Sequence, residues 1–120
     1  MVGEDDRDLG ASGRVRLARL AGRVIARADG VTATSGPAGR WRTVAAQQTI
    51  PGVLAVEDPQ GRVEVELHLV AQWPPQVPLA LLGEQVRGDV RRSAATAGLA
   101  QALGAVAISF DDVQDESASR

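Results

Sequence analysis

Cysteine, lysine and tyrosine are all absent from this chain, and each absence narrows what it can do. Without cysteine there is neither a disulfide nor a thiolate metal site. Without lysine, a phosphate loop of the G-x-x-x-x-G-K type is excluded; all 13 basic residues are arginine. Aromatic residues make up 2% of the chain, so a core must be built from Val, Leu, Ile and Ala, with Phe110, Trp41 and Trp73 as its only large rings. Apolar runs stop far short of the ~20 residues that a membrane-spanning helix needs. The opening segment MVGEDDRDLG is acidic and lacks the basic-then-apolar layout of a secretion signal. A cytoplasmic protein is expected.

At 120 residues the chain suits one domain with one core. Negative charge collects at the ends. Glu4, Asp5, Asp6 and Asp8 outweigh Arg7, and Asp111, Asp112, Asp115 and Glu116 outweigh Arg120, so the body between them is net positive. Residues 1–12 read as an acidic disordered tail, 13–113 as a single α+β domain and 114–120 as a second disordered tail. The positive body is too weakly charged to announce a nucleic-acid binder.

The strongest periodic signal is GRVEVELHLV, residues 61–70. Val63, Val65, Leu67 and Leu69 alternate with Arg62, Glu64, Glu66 and His68, the period of a half-buried strand. Upstream, Leu17, Leu20, Ala21, Val24 and Ala28 recur at helical spacing and predict a helix over about 17–28, closed by Asp29-Gly30. Gly13 to Arg16 read as a short strand or an extended lead-in. Residues 31–51 read as a long connection, and a second strand runs from Val53 to Glu57. Downstream, Leu79, Leu82, Val86, Val90, Ala94 and Ala97 form one stripe of a helix from about Pro78 to Thr96, ended by Gly98 or Gly104. Residues 105–110 form a last strand, which a strand–helix–strand crossover makes parallel to the alternating one. The expected architecture is a small two-layer α+β domain of (β)αββαβ order, with a mixed three- to four-stranded sheet and two helices on one face.

Asp58-Pro59-Gln60-Gly61 carries the residues of a tight turn. A three-residue loop would set Val56 opposite Glu64 and Leu54 opposite Glu66, mixing apolar with charged. A four-residue loop would set Glu57 opposite Arg62, Val56 opposite Val63 and Leu54 opposite Val65, gathering the apolar side chains and pairing opposite charges. The four-residue loop is therefore expected. It leaves Val53, Ala55, Ala105 and Ala107 on the uncovered sheet face, where small apolar groups and an open strand edge permit self-association.

No catalytic signature stands out. Glu64, Glu66 and His68 share a strand face, but the outer two lie ~13 Å apart along the strand, too far to share a zinc ion. A solvated strand face is expected there, with no metal and no cofactor. His68 has no Ser, Cys or Asp that sequence can set beside it for general-base work. Gly36-Pro37-Ala38-Gly39 matches the G-x-x-G loop that clamps nucleic-acid backbone in KH domains, and the αββα order echoes that fold. The KH loop, however, lies between two helices, whereas this one precedes a strand. Arg16, Arg19, Arg23 and Arg27 form a basic stripe beside the apolar stripe of the first helix, a face suited to anionic lipid or acidic partners. Arg40-Trp41-Arg42 places an aromatic between two arginines. That is either a partner contact, since Trp and Arg concentrate at interface hot spots, or an anchor of the loop to its own core. Trp73, beside Pro74 and Pro75, reads as a lid on the core edge. The candidate partner-binding residues are thus Arg16, Arg19, Arg23, Arg27, Arg40, Trp41 and Arg42.

Small motifs follow one another in a recognisable order. They are Gly-Arg-Val near residue 13, a helix ending in Asp29-Gly30-Val31, a Gly-rich connection, Ile50-Pro51-Gly52-Val53 and the Val63–Val70 strand. An aromatic then Pro-rich junction from Trp73 to Pro78, Gln85-Val86-Arg87 and a closing Val106–Val113 strand complete the series. This order resembles the alkaline shock protein family of bacterial envelope-stress proteins over roughly residues 13–113. Two departures are a short first helix with its connection and a longer stretch at 98–105. The resemblance implies a non-enzymatic, cytoplasmic protein prone to self-assembly and held at the membrane through a separate anchor protein. The expected partners are a second copy and that anchor, without a small-molecule substrate or a transmembrane segment of its own. A KH-like, nucleic-acid-associated module is the alternative.

The strand facing generates its own test. Val65→Asp or Leu67→Asp should unfold the domain by burying an unpaired charge, and the facing alone expects Glu66→Gln to be nearly silent. Thermal melts in which Val65→Asp is tolerated would invert it.

Overall fold

The computed structural model describes residues 13–45 and 48–115. The tails expected at 1–12 and 116–120 lie outside the described residues. Gln114 and Asp115, assigned above to the second tail, belong to the last strand.

Helix α1 (Gly13–Arg27) starts at Gly13, so the expected lead-in strand is its first turn. Four residues of alternation are too few to separate a strand from one helical turn. The helix buries Leu17, Ala18, Leu20, Ala21, Val24 and Ile25. Helix α2 (Leu79–Thr96) buries Leu82, Gly83, Val86, Val90 and Ala94, so the expected stripe holds from Leu82 to Ala94, while Ala97 lies past the helix and is exposed. It ends before Gly98, not Gly104: the Gly98 N–H donates to Ala95 O, and the Leu99 N–H reaches back to Ala94 O.

Residues 31–51 are not a plain connection. They hold β1 (Val31–Ala33), a 3-10 turn (Pro37–Gly39) and a hairpin of β2 (Arg42–Ala45) with β3 (Gln48–Pro51). These strands are three or four residues long, too short for alternation to show against the surrounding Gly, Ser and Thr. Three further strands follow: β4 (Val53–Glu57), β5 (Val63–Trp73) and β6 (Leu103–Asp115).

Strand β5 is the axis of a four-stranded mixed sheet. Along one edge runs β6, parallel to it as the crossover requires. Two antiparallel strands share the other edge: β4 pairs with residues 63–67 and β1 with 69–71. They meet at residue 68, where the His68 N–H donates to Gly52 O and His68 O accepts from the Thr34 N–H. Val63, Val65, Leu67 and Leu69 point into one core with both helices. Burying each of the larger ones contributes about 1.5–3 kcal/mol.

The β4–β5 register corrects the expectation. Glu57 pairs with Val63, Val56 with Glu64 and Leu54 with Glu66, and the Asp58 N–H donates to Arg62 O. The loop is thus Pro59–Gly61, the three-residue alternative. Local geometry decides it. Gly61 sits at φ +81, the left-handed position of a three-residue hairpin. The Asp58 carboxylate accepts from the Gln60 and Arg62 N–H groups at 2.9 Å each. Val53 and Ala55 therefore face the core at 0% and 6% exposure, while Val56 is 60% exposed. Only Ala105 and Ala107 of the four residues expected on the outer face stay exposed. The expected Glu57–Arg62 pair is replaced by a bond from Arg62 to Leu103 O across the sheet, 3.0 Å.

Gly52 makes the shared edge possible. It sits at φ +74, and a Cβ there would stand 2.8 Å from Ala33 Cβ and 2.9 Å from His68 O. Gly61 has comparable φ but open space around it. Gly61→Ala should therefore cost about 1 kcal/mol and Gly52→Ala at least about 3 kcal/mol. Equal losses in urea melts would remove this joint as a constraint.

Candidate functional site

The face of β5 away from the helices is exposed at Glu64 and Glu66, and at Arg62 just before the strand, as expected, but not at His68. His68 is 6% exposed there. Its ring stacks on Trp41 with centroids 4.1 Å apart and planes within 5°. Both ring nitrogens face carboxylates: Nδ1 lies 2.6 Å from Asp111 Oδ2, and Nε2 lies 2.5 Å from Glu66 Oε2. The Ser109 hydroxyl donates to the other Asp111 oxygen at 2.6 Å.

Each member arrives by a different route. Glu66 and His68 are neighbours on one β5 face, two residues apart. Ser109 is the register partner of His68 on β6. Asp111 is the extra residue of a β-bulge: Leu69 pairs with Phe110, but Val70 already pairs with Asp112. Bulges re-aim side chains in this way.

Trp41 comes from the segment between the 3-10 turn and β2. Its backbone is held on both sides, by its N–H donating to Ser35 O at 2.8 Å and its carbonyl accepting from the Gly52 N–H at 2.7 Å. A Cβ on Gly36 would overlap the indole ring. The G-x-x-G segment is thus a bed for Trp41. The Trp41 ring is anchored within the chain, but on His68 at the outer sheet face and not in the hydrophobic core as the internal reading had it, and Arg40 and Arg42 are exposed beside it.

The cluster is connected but closed. With a carboxylate on each ring nitrogen, neither is turned to a nucleophile or substrate. Ser109 donates to Asp111 and not to His68, so the hydroxyl–imidazole bond that activates a serine is not formed. Among the described residues, no group of three His, Cys, Asp or Glu is arranged to hold a metal ion, and no buried polar side-chain atom lacks a partner. The arrangement ties Trp41, β5 and β6 together.

The remaining candidates lie elsewhere. On α1, Arg23 and Arg27 are exposed and Arg16 is half-buried; Arg19 Nε donates to Gln48 Oε1 at 3.3 Å, linking the stripe to the hairpin. The hairpin sits close against α1: a Cβ on Gly22 would stand 3.0 Å from Ile50 Cγ2. Trp73 is 46% exposed and borders a cleft of about 760 Å³ with Pro74, Pro75, Gln72, Gln85 and Asp29, the one charged lining residue among those described.

Sequence reasoning singled out Trp41 but dismissed His68 and missed Ser109 and Asp111. Their signal was present, since Ser109 and Asp111 alternate with Ile108 and Phe110. The parallel register that sets them beside His68 is not written in any local pattern.

Comparison with protein-family models, with curated proteins and with solved structures finds no match to this chain.

The stack should be measurable by a double-mutant cycle. His68→Ala leaves Glu66 and Asp111 facing each other without the ring between them, and should cost roughly 2–4 kcal/mol. Trp41→Ala should cost less after His68→Ala than in the wild type, with a coupling of about 0.5–1.5 kcal/mol. Strict additivity in urea melts would mean the rings do not stabilise one another. The same geometry revises Glu66→Gln: it should lower stability measurably.

Proposed function

We propose that this protein is a non-enzymatic assembly and docking module similar to the alkaline shock type, working in the cytoplasm and held at the cell envelope by an acidic protein partner. The observation that carries this reading is the uneven use of arginine. On α2, Arg87 and Arg92 form ion pairs with Glu84 and Asp89, and Arg87 and Arg91 also bond β6 carbonyls. Among the described residues, Arg16, Arg23, Arg27, Arg40 and Arg42 form no ion pair. The uncommitted positive charge therefore belongs to α1 and to the segment that the His68 cluster holds in place. No helix among the described residues is long and apolar enough to cross a membrane, so attachment by this surface would be electrostatic.

The KH-like alternative loses its main support, because the G-x-x-G segment packs on Trp41 instead of lying open between two helices.

Reversing Arg23 and Arg27 to Glu should release the protein from the envelope fraction while leaving its melting temperature unchanged, because both side chains are exposed. Raised salt should release the wild type as well, since contacts between exposed charges are screened. Retention of the double variant at the envelope would refute the reading. Salt-dependent retardation of RNA by the purified protein would replace it with the nucleic-acid alternative.

A further inference from the structure

The outer edge of β6 is open for one short stretch, and its closure elsewhere shows where. Even-numbered residues of β5 direct their backbone groups to β1 and β4, as the two bonds of His68 and the Gln72 N–H to Gly30 O bond establish. Odd-numbered ones face β6, as the Val63 N–H to Ala102 O bond establishes. With Leu67 opposite Ile108 and Leu69 opposite Phe110, residues 107 and 109 of β6 bond β5, and the backbone groups of Val106, Ile108 and Phe110 point outward.

That outward row is covered at both ends. Arg91 reaches Gly104 O at 3.5 Å and Arg87 reaches Val106 O at 2.9 Å. Past the bulge, the Val113 N–H is satisfied by the Asp112 carboxylate at 2.8 Å. Between these caps no contact is made, among the described residues, to the N–H and C=O of Ile108 or of Phe110. Their side chains are only partly buried, packed against the rim of the core. Proteins normally blunt a strand edge along its length. Here the blunting stops for one antiparallel pairing unit.

We infer that this window pairs with the same window of a second copy, as an antiparallel β6–β6 junction on a two-fold axis beside Ser109. Ile108 of each copy then stands opposite Phe110 of the other, and the outward groups of both exchange four hydrogen bonds without displacing Arg87 from Val106 O. Charge selects the second copy as the occupant. Arg91 lies at one end of the window and Asp112 at the other, neither in an ion pair among the described residues, whereas Arg87 and Asp111 are already engaged by Glu84 and His68. An antiparallel copy lays each basic end along the acidic end of its partner, within a Debye length. A two-fold interface needs this self-complementarity. The Ile108 and Phe110 side chains, partly buried against Gly83 of α2, would stand side by side across the axis and lose their remaining exposure.

The junction deepens the assembly half of the proposed function but uses neither α1 nor the Trp41 segment. Arg23→Glu/Arg27→Glu should therefore leave the dimer intact, which separates failure of docking from failure of pairing. The test is sedimentation of the full chain over a concentration series, with two single variants and their mixture. Asp112→Arg and Arg91→Asp should each weaken dimerisation by roughly tenfold or more through like-charge contact at both ends. An equimolar mixture should dimerise again, because each mixed contact then joins opposite charges. Thermal melts of both variants should match the wild type, which checks that they fold. In parallel, hydrogen exchange should slow at the Ile108 and Phe110 amides as wild-type concentration rises. A wild type that stays monomeric throughout, reversals that leave the dimer unchanged, a mixture that does not recover, or exchange at those amides independent of concentration would each overturn the junction.

Discussion

His68 holds one long excursion of the chain from two directions at once. Its backbone donates to Gly52 and accepts from Thr34, which brackets the excursion between β1 and β4. Its side chain stacks on Trp41, which lies inside that excursion. A strand edge offers one row of hydrogen-bonding groups, and here two strands divide it. The division works only where their ends can touch, which is why Gly52, without a Cβ, stands at the joint. Removing the joint would leave buried backbone groups without partners, a cost comparable to losing several hydrogen bonds.

The same residue accounts for the closed character of the polar cluster. An imidazole between two carboxylates, under an indole, is a fastening: both ring nitrogens are used and one ring face is covered. The bulge at Asp111 supplies the second carboxylate from β6, so the fastening joins the sheet's longest ladder to its most irregular loop. The outer face of β5 is thereby occupied by the chain itself around residue 68, while Ala105 and Ala107 remain exposed.

Charge follows a division of labour between the helices. Arginines of α2 satisfy neighbouring acids and the β6 carbonyls of Gly104 and Val106, covering the start of the β6 edge and leaving Ile108 and Phe110 beyond them uncovered. Those of α1 flank the buried stripe and point outward. Arg40 and Arg42 add to this charge on a segment whose position depends on Trp41. Surface charge of this kind contributes little to folding, so its distribution bears on association, in rate and specificity more than in raw affinity.

Much of the architecture was determined by the sequence alone. The alternation of Val63, Val65, Leu67 and Leu69 set the facing of β5, the stripes at 17–28 and 79–97 set both helices, and the helical crossover made β6 parallel. These are periodic signals, and a period is a local property that survives without knowledge of the rest of the chain. The turn at 58–61 was legible but its register was not. Matching apolar partners favoured Val56 over Val53, whereas the left-handed Gly61 and the core beneath Val53 and Ala55 chose the opposite face. Only the tertiary structure could decide His68. Its sequence neighbours are charged and alternate as a solvated face would. Its real neighbours, Trp41, Ser109 and Asp111, are 27 to 43 positions away, and only a complete path through hairpin, joint and crossover brings them together.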